Sequence, residues 1–221
     1  MARPGDVDAY GIVELVGDVT GIASELGAHE YHLVGHDWGG AVAWLAAAFD
    51  PDAVQSLTAL STPHPDAIND AVSEPGPQLE AFDYMEFFRA EGTEQQLLAG
   101  GTDAADSFTT VFGTAGGLPA DEVERYADVL ATPEALGAAL NWYRANPLPM
   151  PARIGDVRVP TLYVYGVDDM AFLPATARAT GDLVDAPYTY RELEGYGHWL
   201  PETAAAEVVP DLIEHLDNVE P

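Results

Sequence analysis

Gly35-His36-Asp37-Trp38-Gly39-Gly40 is the stretch on which the fold of this 221-residue chain turns. It follows an apolar, strand-like run, Tyr31-His32-Leu33-Val34, and leads into an alanine-rich helical run, Ala41 to Phe49. A strand that becomes a helix within so few residues bends sharply, and the tip of such a bend presents one side chain on strained backbone. Small residues are needed two places before and two places after the tip, and Gly35 and Gly39 occupy them. Asp37 is thereby singled out as the presented group, a candidate nucleophile. An aspartate ahead of a helix is also an ordinary N-cap. What separates the two readings is whether partner residues follow downstream in a fixed order.

Outward from the bend, Ile12, Val13, Leu15, Val16, Val19, Ile22, Ala23 and Leu26 recur at helical spacing, with Gly27 as a C-cap. Asp50-Pro51 stops the helix after the bend, and Val54 to Leu60 reads as a second strand closed by Ser61-Thr62-Pro63-His64-Pro65. Strand, helix, strand in this order predicts a parallel βαβ unit. From about Asp66 to Pro151 the pattern changes. Helical fragments over Glu80 to Glu91, Thr93 to Ala99 and Asp121 to Leu130 alternate with loops at Gly100-Gly101 and Gly113 to Pro119, without strand alternation. This predicts a helical cap, residues 66–151, inserted into an α/β core of residues 1–65 and 152–221. The core resumes with a strand over Val159 to Gly166, a helix from about Pro174 to Val184, a strand over Tyr188 to Leu193, and a loop from Gly195 to Pro201. A closing helix from about Ala204 to Leu216 contains Pro210, which sits in its first turns or kinks it.

A carboxylate nucleophile needs a base for the second step, and the base needs an orienting acid. His198, in Gly195-Tyr196-Gly197-His198-Trp199 after the last strand, lies where a loop can lower an imidazole onto the bend. The hexapeptide resembles the nucleophile elbow of the aspartate branch of the α/β-hydrolase fold, which holds the epoxide hydrolases and the haloalkane dehalogenases. That fold carries nucleophile, acid and histidine in this chain order. The resemblance implies Asp37 as nucleophile, His198 as base, and an acid at Asp168 or Asp169; the Gly-x-x-Asp pattern from Gly166 favours Asp169. Phe82-Asp83-Tyr84 and Asn141-Trp142-Tyr143-Arg144 resemble the two lid-tyrosine motifs of the soluble epoxide hydrolases, making Tyr84 and Tyr143 paired donors to an epoxide oxygen. The Trp38 backbone N–H is implied as an oxyanion donor. The expected reaction opens a small apolar epoxide to a vicinal diol without metal or organic cofactor. The alternatives are a haloalkane or haloacid dehalogenase using the same Asp37, with the Trp38 and Trp142 indoles binding halide, or an inactive remnant serving as a binding module.

Composition narrows the partners. Thirty-seven acidic residues face eight arginines and no lysine, a net charge of −29. Such a surface repels phosphate backbones and anionic membranes, so neither nucleic acid nor a membrane is an expected partner. The acidic residues are scattered along the chain, and their mutual repulsion needs counterions, which suggests a salt-adapted cytoplasm, the alternative being an acidic protein from a GC-rich genome. On the salt-adapted reading the melting temperature rises between low and molar potassium chloride; a flat response would refute it. There is no cysteine, so disulfides and thiolate chemistry are excluded. The six histidines show no metal-ligand spacing. No apolar run reaches the ~18 residues of a membrane span, and the first residues lack a signal-peptide core, which points to the cytoplasm.

The resemblance also exposes what the chain lacks. No His-Gly pair occurs, although the family's second oxyanion donor comes from a His-Gly-x-Pro loop, and the family sets about four strands before the helix that begins here near Gly11. The expectation is an N-terminally truncated member with weak or no turnover. Its Asp37 strand would be left with an open edge, able to associate with another copy.

Overall fold

The structure, a computed structural model, describes residues 3–98 and 117–219. Four strands form one parallel sheet in the order β1 (Tyr31–His36), β2 (Val54–Leu60), β3 (Thr161–Gly166) and β4 (Tyr188–Leu193). The helix α1 (Ile12–Glu25) precedes β1, and α2 (Trp38–Phe49) crosses from β1 to β2, as the βαβ pattern requires. Side chains alternate between the two faces with the period of two that a strand imposes. On one face Leu57, Ala59, Tyr163 and Tyr165 join Trp44, Ala46 and Ala47 of α2. On the other, Leu60, Leu162, Val164 and Leu193 pack with Leu200, Ala204 and Val208. β3 is buried along its whole length, so its apolar run needs no alternation in sequence.

At the opposite extreme, β1 pairs only with β2 among the described residues. Its other edge has no strand partner among the described residues, and on one of its faces His32 is exposed and Val34 is 46% exposed.

Between β2 and β3 the described residues are helical: α3 (Pro65–Val72), α4 (Pro77–Ala81), α5 (Tyr84–Arg89), α6 (Thr93–Leu98), α7 (Ala120–Val129) and α8 (Pro133–Ala145). Phe88, Leu97, Leu118, Val123, Leu136 and Leu140 give these helices a small core of their own, whereas Ile68 and Val72 of α3 belong to the sheet's cluster. The expected Glu80 to Glu91 helix breaks in two because Phe82 is buried against Phe172, ring centres 5.6 Å apart, and that contact outweighs local propensity. α3 and α8 go beyond the fragments expected from periodicity. α8 is started by Thr132, whose hydroxyl accepts from the Ala135 N–H, and by Pro133 in its first turn. The Gly100-Gly101 loop and residues 113–116 of the next expected loop lie outside the described residues.

After β3 come α9 (Pro174–Ala179), with a 3-10 turn at Thr180–Leu183, and after β4 the short α10 (Leu200–Thr203) and α11 (Ala205–Asp217). Pro210 lies inside α11. No helix among the described residues is long and apolar enough to cross a membrane.

Candidate active site

The end of β1 turns into α2 through Asp37, which has φ 52° and ψ −127°. A non-glycine residue there is strained, typically by about 1–3 kcal/mol, and such strain persists where surrounding structure enforces it. The steric reason differs in part from the expected one. A Cβ on Gly35 would collide with the Gly39 carbonyl, so Gly35 is required. A Cβ on Gly39 would meet open space, while one on Gly40 would stand 2.8 Å from the Thr62 side chain. The second glycine the bend needs is therefore Gly40, because α2 runs against the residues that follow β2. Thr62 reinforces this by donating its hydroxyl to the Asp37 carbonyl at 2.9 Å.

His198 comes down on the bend from the loop after β4. Its Nε2 is 3.3 Å from Asp37 Oδ2, and its Nδ1 is 2.9 Å from Asp169 Oδ2. The His198 side chain is 8% exposed, Asp169 is fully buried, and Asp37 is 35% exposed, so the three form a line from interior to opening. Asp169 has its other oxygen occupied by the backbone N–H groups of Ala171 (2.7 Å) and Phe172 (3.1 Å), which fixes the carboxylate. Asp168 is exposed, and its backbone N–H instead donates to the Tyr196 carbonyl. The Trp38 backbone N–H supports the Asp37 carboxylate.

A cavity of about 350 Å3 opens in front of Asp37. Its walls are mostly apolar and aromatic, including Phe88, Leu140, Trp142, Tyr143 and Trp199. The Trp38 ring meets Tyr143 edge to face at 5.3 Å, and Tyr84 meets Tyr143 at 6.4 Å. Tyr143 belongs to the cavity wall, and Tyr84 packs against it. Thus Asp37, Trp38, Asp169, His198, Tyr143 and Tyr84 gather at one place although they come from the core and from the inserted helices.

Electrostatics follow from this packing. Burial works against charge on Asp37, yet the His198 hydrogen bond, the charges of His198 and His36, and the Trp38 N–H hold its carboxyl down at about 2. Burial likewise disfavours a charged His198, but hydrogen bonds and charge from Asp169 and Asp37 outweigh it and raise the imidazole to about 10. Burial, then the nearby Asp37 charge, raises both phenols, so Tyr84 and Tyr143 stay protonated at neutral pH. Burial lowers His36, His64 and His215.

These directions predict how stability varies with pH. A raised His198 stabilises the fold fully below the ordinary imidazole value near 6.5, and that contribution fades as pH climbs towards 10. The three lowered imidazoles act in the opposite sense below 6.5, where the unfolded chain binds protons that the native state refuses. With neither lysine nor cysteine in the chain, little else titrates between 6.5 and 9. The melting temperature is therefore expected to peak near pH 6.5 and to fall by roughly 5 °C or more by pH 9.5. Thermal melts of His198→Gln, expected to be flat over the alkaline limb, check the assignment.

Two residues near the site were not anticipated from sequence. His36 donates Nε2 to the His198 carbonyl at 2.8 Å, and Ser61 donates its hydroxyl to the same oxygen at 2.6 Å. Position inside the hexapeptide could have flagged His36; Ser61 has no signal beyond following a strand. A third contact comes from Gly166, where a Cβ would collide with the Gly197 carbonyl, so the histidine loop lies directly on the end of β3.

A parallel sheet flanked by helices, with a presented carboxylate, an acid and a histidine at the strands' carboxyl ends, defines a class of protein. The chain belongs to the alpha/beta hydrolase fold family, whose family model matches residues 2–205. It is 27% identical to the AB hydrolase superfamily protein YfhM of Bacillus subtilis, covering 98% of this chain and 76% of that protein. To Epoxide hydrolase A of Mycobacterium tuberculosis it is 28% identical, covering 99% of this chain and 79% of that one. A solved structure described among novel epoxide hydrolases from metagenomes of hot environments superposes with a TM-score of 0.83 at 26% identity, covering 97% of this chain and 77% of that chain. The chain thus spans about three quarters of the length of these relatives.

Proposed function

We propose that the protein opens an epoxide to a vicinal diol through a covalent ester on Asp37. The observation that carries the reading is the carboxylate at the bend, 3.3 Å from an imidazole that a second carboxylate holds, with Tyr143 in the wall of the same cavity. Similarity to proteins described as epoxide hydrolases supports it. In the first step an Asp37 oxygen bonds to an epoxide carbon, the carbon–oxygen bond of the ring breaks, and the ring oxygen takes a proton from Tyr143 or Tyr84. An alkoxide is too basic to leave unaided, which is why phenols held neutral at this place matter.

Esterification removes the charge on Asp37, one of two carboxylates that keep His198 protonated. The imidazole then sheds its proton, which balances the one the phenol gave up, and becomes the base for a water that attacks the ester carbonyl. The Trp38 N–H receives the developing oxyanion. The inserted helices act as the cap that supplies the donors and the apolar wall for a small apolar substrate. In the dehalogenase alternative the Trp38 indole would bind halide, but it is turned to the Tyr143 phenol, which speaks against that role.

Oxygen tracing tests this route. With enzyme in excess over styrene oxide in 18O-water, the first diol formed is expected to carry unlabelled oxygen, and the label appears in the peptide containing Asp37. Labelled diol from the first turnover would mean direct attack by water; a protein inert to styrene oxide is then given 1-bromobutane, where bromide release would favour the dehalogenase and silence towards both the binding module.

A further inference from the structure

We infer that Ser61 and His36 are positioning residues that aim the His198 ring by clamping its main-chain carbonyl from two neighbouring strands. The inference builds on the covalent reading above and adds two residues to it. His198 must satisfy two carboxylates at once, at 3.3 Å and 2.9 Å on opposite ring nitrogens, while sitting in a glycine-flanked loop. Something outside the loop has to fix its backbone. The His198 carbonyl accepts from three donors: the Ser61 hydroxyl at 2.6 Å, His36 Nε2 at 2.8 Å and the local Leu200 N–H at 3.0 Å.

Ser61 is built for this contact. It is fully buried, and with Asp37 it is one of two non-glycine residues with positive φ, 63°, among those described. Its N–H donates to the Val164 carbonyl at 2.8 Å, and its own carbonyl accepts from the Tyr163 hydroxyl at 3.0 Å, so the strained turn is tied to β3 on both sides. The hydroxyl is thus the free end of a rigid bracket that reaches the β4 loop. His36 is the last residue of β1, its ring centre 4.8 Å from that of His198. Ser61 is buried away from the cavity and His36 borders it, yet both act on His198 through its backbone: a shift of about 1 Å in a catalytic side chain suffices to cost of order a hundredfold in rate.

The test uses the full chain with styrene oxide as probe. In Ser61→Gly, which accepts the left-handed backbone but removes the hydroxyl, alkylation of Asp37 should stay within about twofold of wild type while ester hydrolysis slows tenfold or more; in His36→Leu, which also changes the cavity wall beside Asp37, hydrolysis should slow by more than alkylation does. His36→Gln, which keeps an N–H donor at the same reach, should restore hydrolysis. A second readout is independent of turnover: the low-field NMR proton of His198 Nδ1 against Asp169, expected sharp in wild type and His36→Gln, and broadened or lost in Ser61→Gly and His36→Leu. Thermal melts separate misfolding from misalignment. Hydrolysis at the wild-type rate in both Ser61→Gly and His36→Leu, or equal slowing of both steps, would overturn the clamp. Should wild type never carry the ester, the covalent reading fails instead, and the clamp stands or falls on whether the NMR proton is lost or persists in those variants.

Discussion

A His198→Gln variant is expected to consume one equivalent of styrene oxide and then stop, its mass raised by that of the whole epoxide and the addition located on Asp37. Glutamine keeps the approximate size of the ring and can still donate to Asp169, so the loop has little cause to move. It cannot take a proton from water. The first step needs only the Asp37 carboxylate and a phenol, both left in place, whereas the second needs a base beside that carboxyl group, where His198 Nε2 stands 3.3 Å from Asp37 Oδ2. Steady turnover should fall by roughly 10³-fold or more while alkylation survives. Intact-protein mass spectrometry and diol release measured side by side decide it. Continued diol release from unmodified protein would remove His198 from the second step, and absence of the adduct in both variant and wild type would remove Asp37 from the first.

The second large effect is expected at the lid phenols, and the structure ranks them. Tyr143 lines the cavity and meets Trp38 edge to face, while Tyr84 packs behind it. Tyr143→Phe should therefore slow alkylation by about 10²- to 10⁴-fold, the range typical of a general acid, and Tyr84→Phe by less. Both substitutions keep the ring and lose only the hydroxyl, so packing around Phe88 is preserved. Rapid-quench measurement of ester formation, followed by its decay, locates the loss. If hydrolysis of the ester slowed instead, the phenols would be serving the water and not the epoxide oxygen.

Much of this arrangement is legible in the residues. The strand, bend and helix around Asp37 are local features whose pattern survives folding, and the parallel order of strands follows from the spacing of helices between them. The histidine and its acid are legible through their order along the chain. What escapes is whatever depends on two distant segments meeting. Periodicity over Glu80 to Glu91 suggests one helix, but the Phe82 contact with Phe172 divides it. Gly39 looks sterically required from its place in the motif, yet the close neighbour is Thr62, beside Gly40. Ser61 is an unremarkable serine in sequence; its strained backbone and its bond to a carbonyl far along the chain exist only once β2, β3 and the β4 loop lie side by side.

Asp37, Ser61, Asp169 and His198 each follow the carboxyl end of a different strand, one for each of the four in the sheet. The wall of the cavity in front of them comes largely from the inserted helices instead. On the proposed reading, chemistry and choice of molecule are stored in separate parts of the chain, so exchanging helices should retune which compound is accepted while the bond-making apparatus is inherited intact.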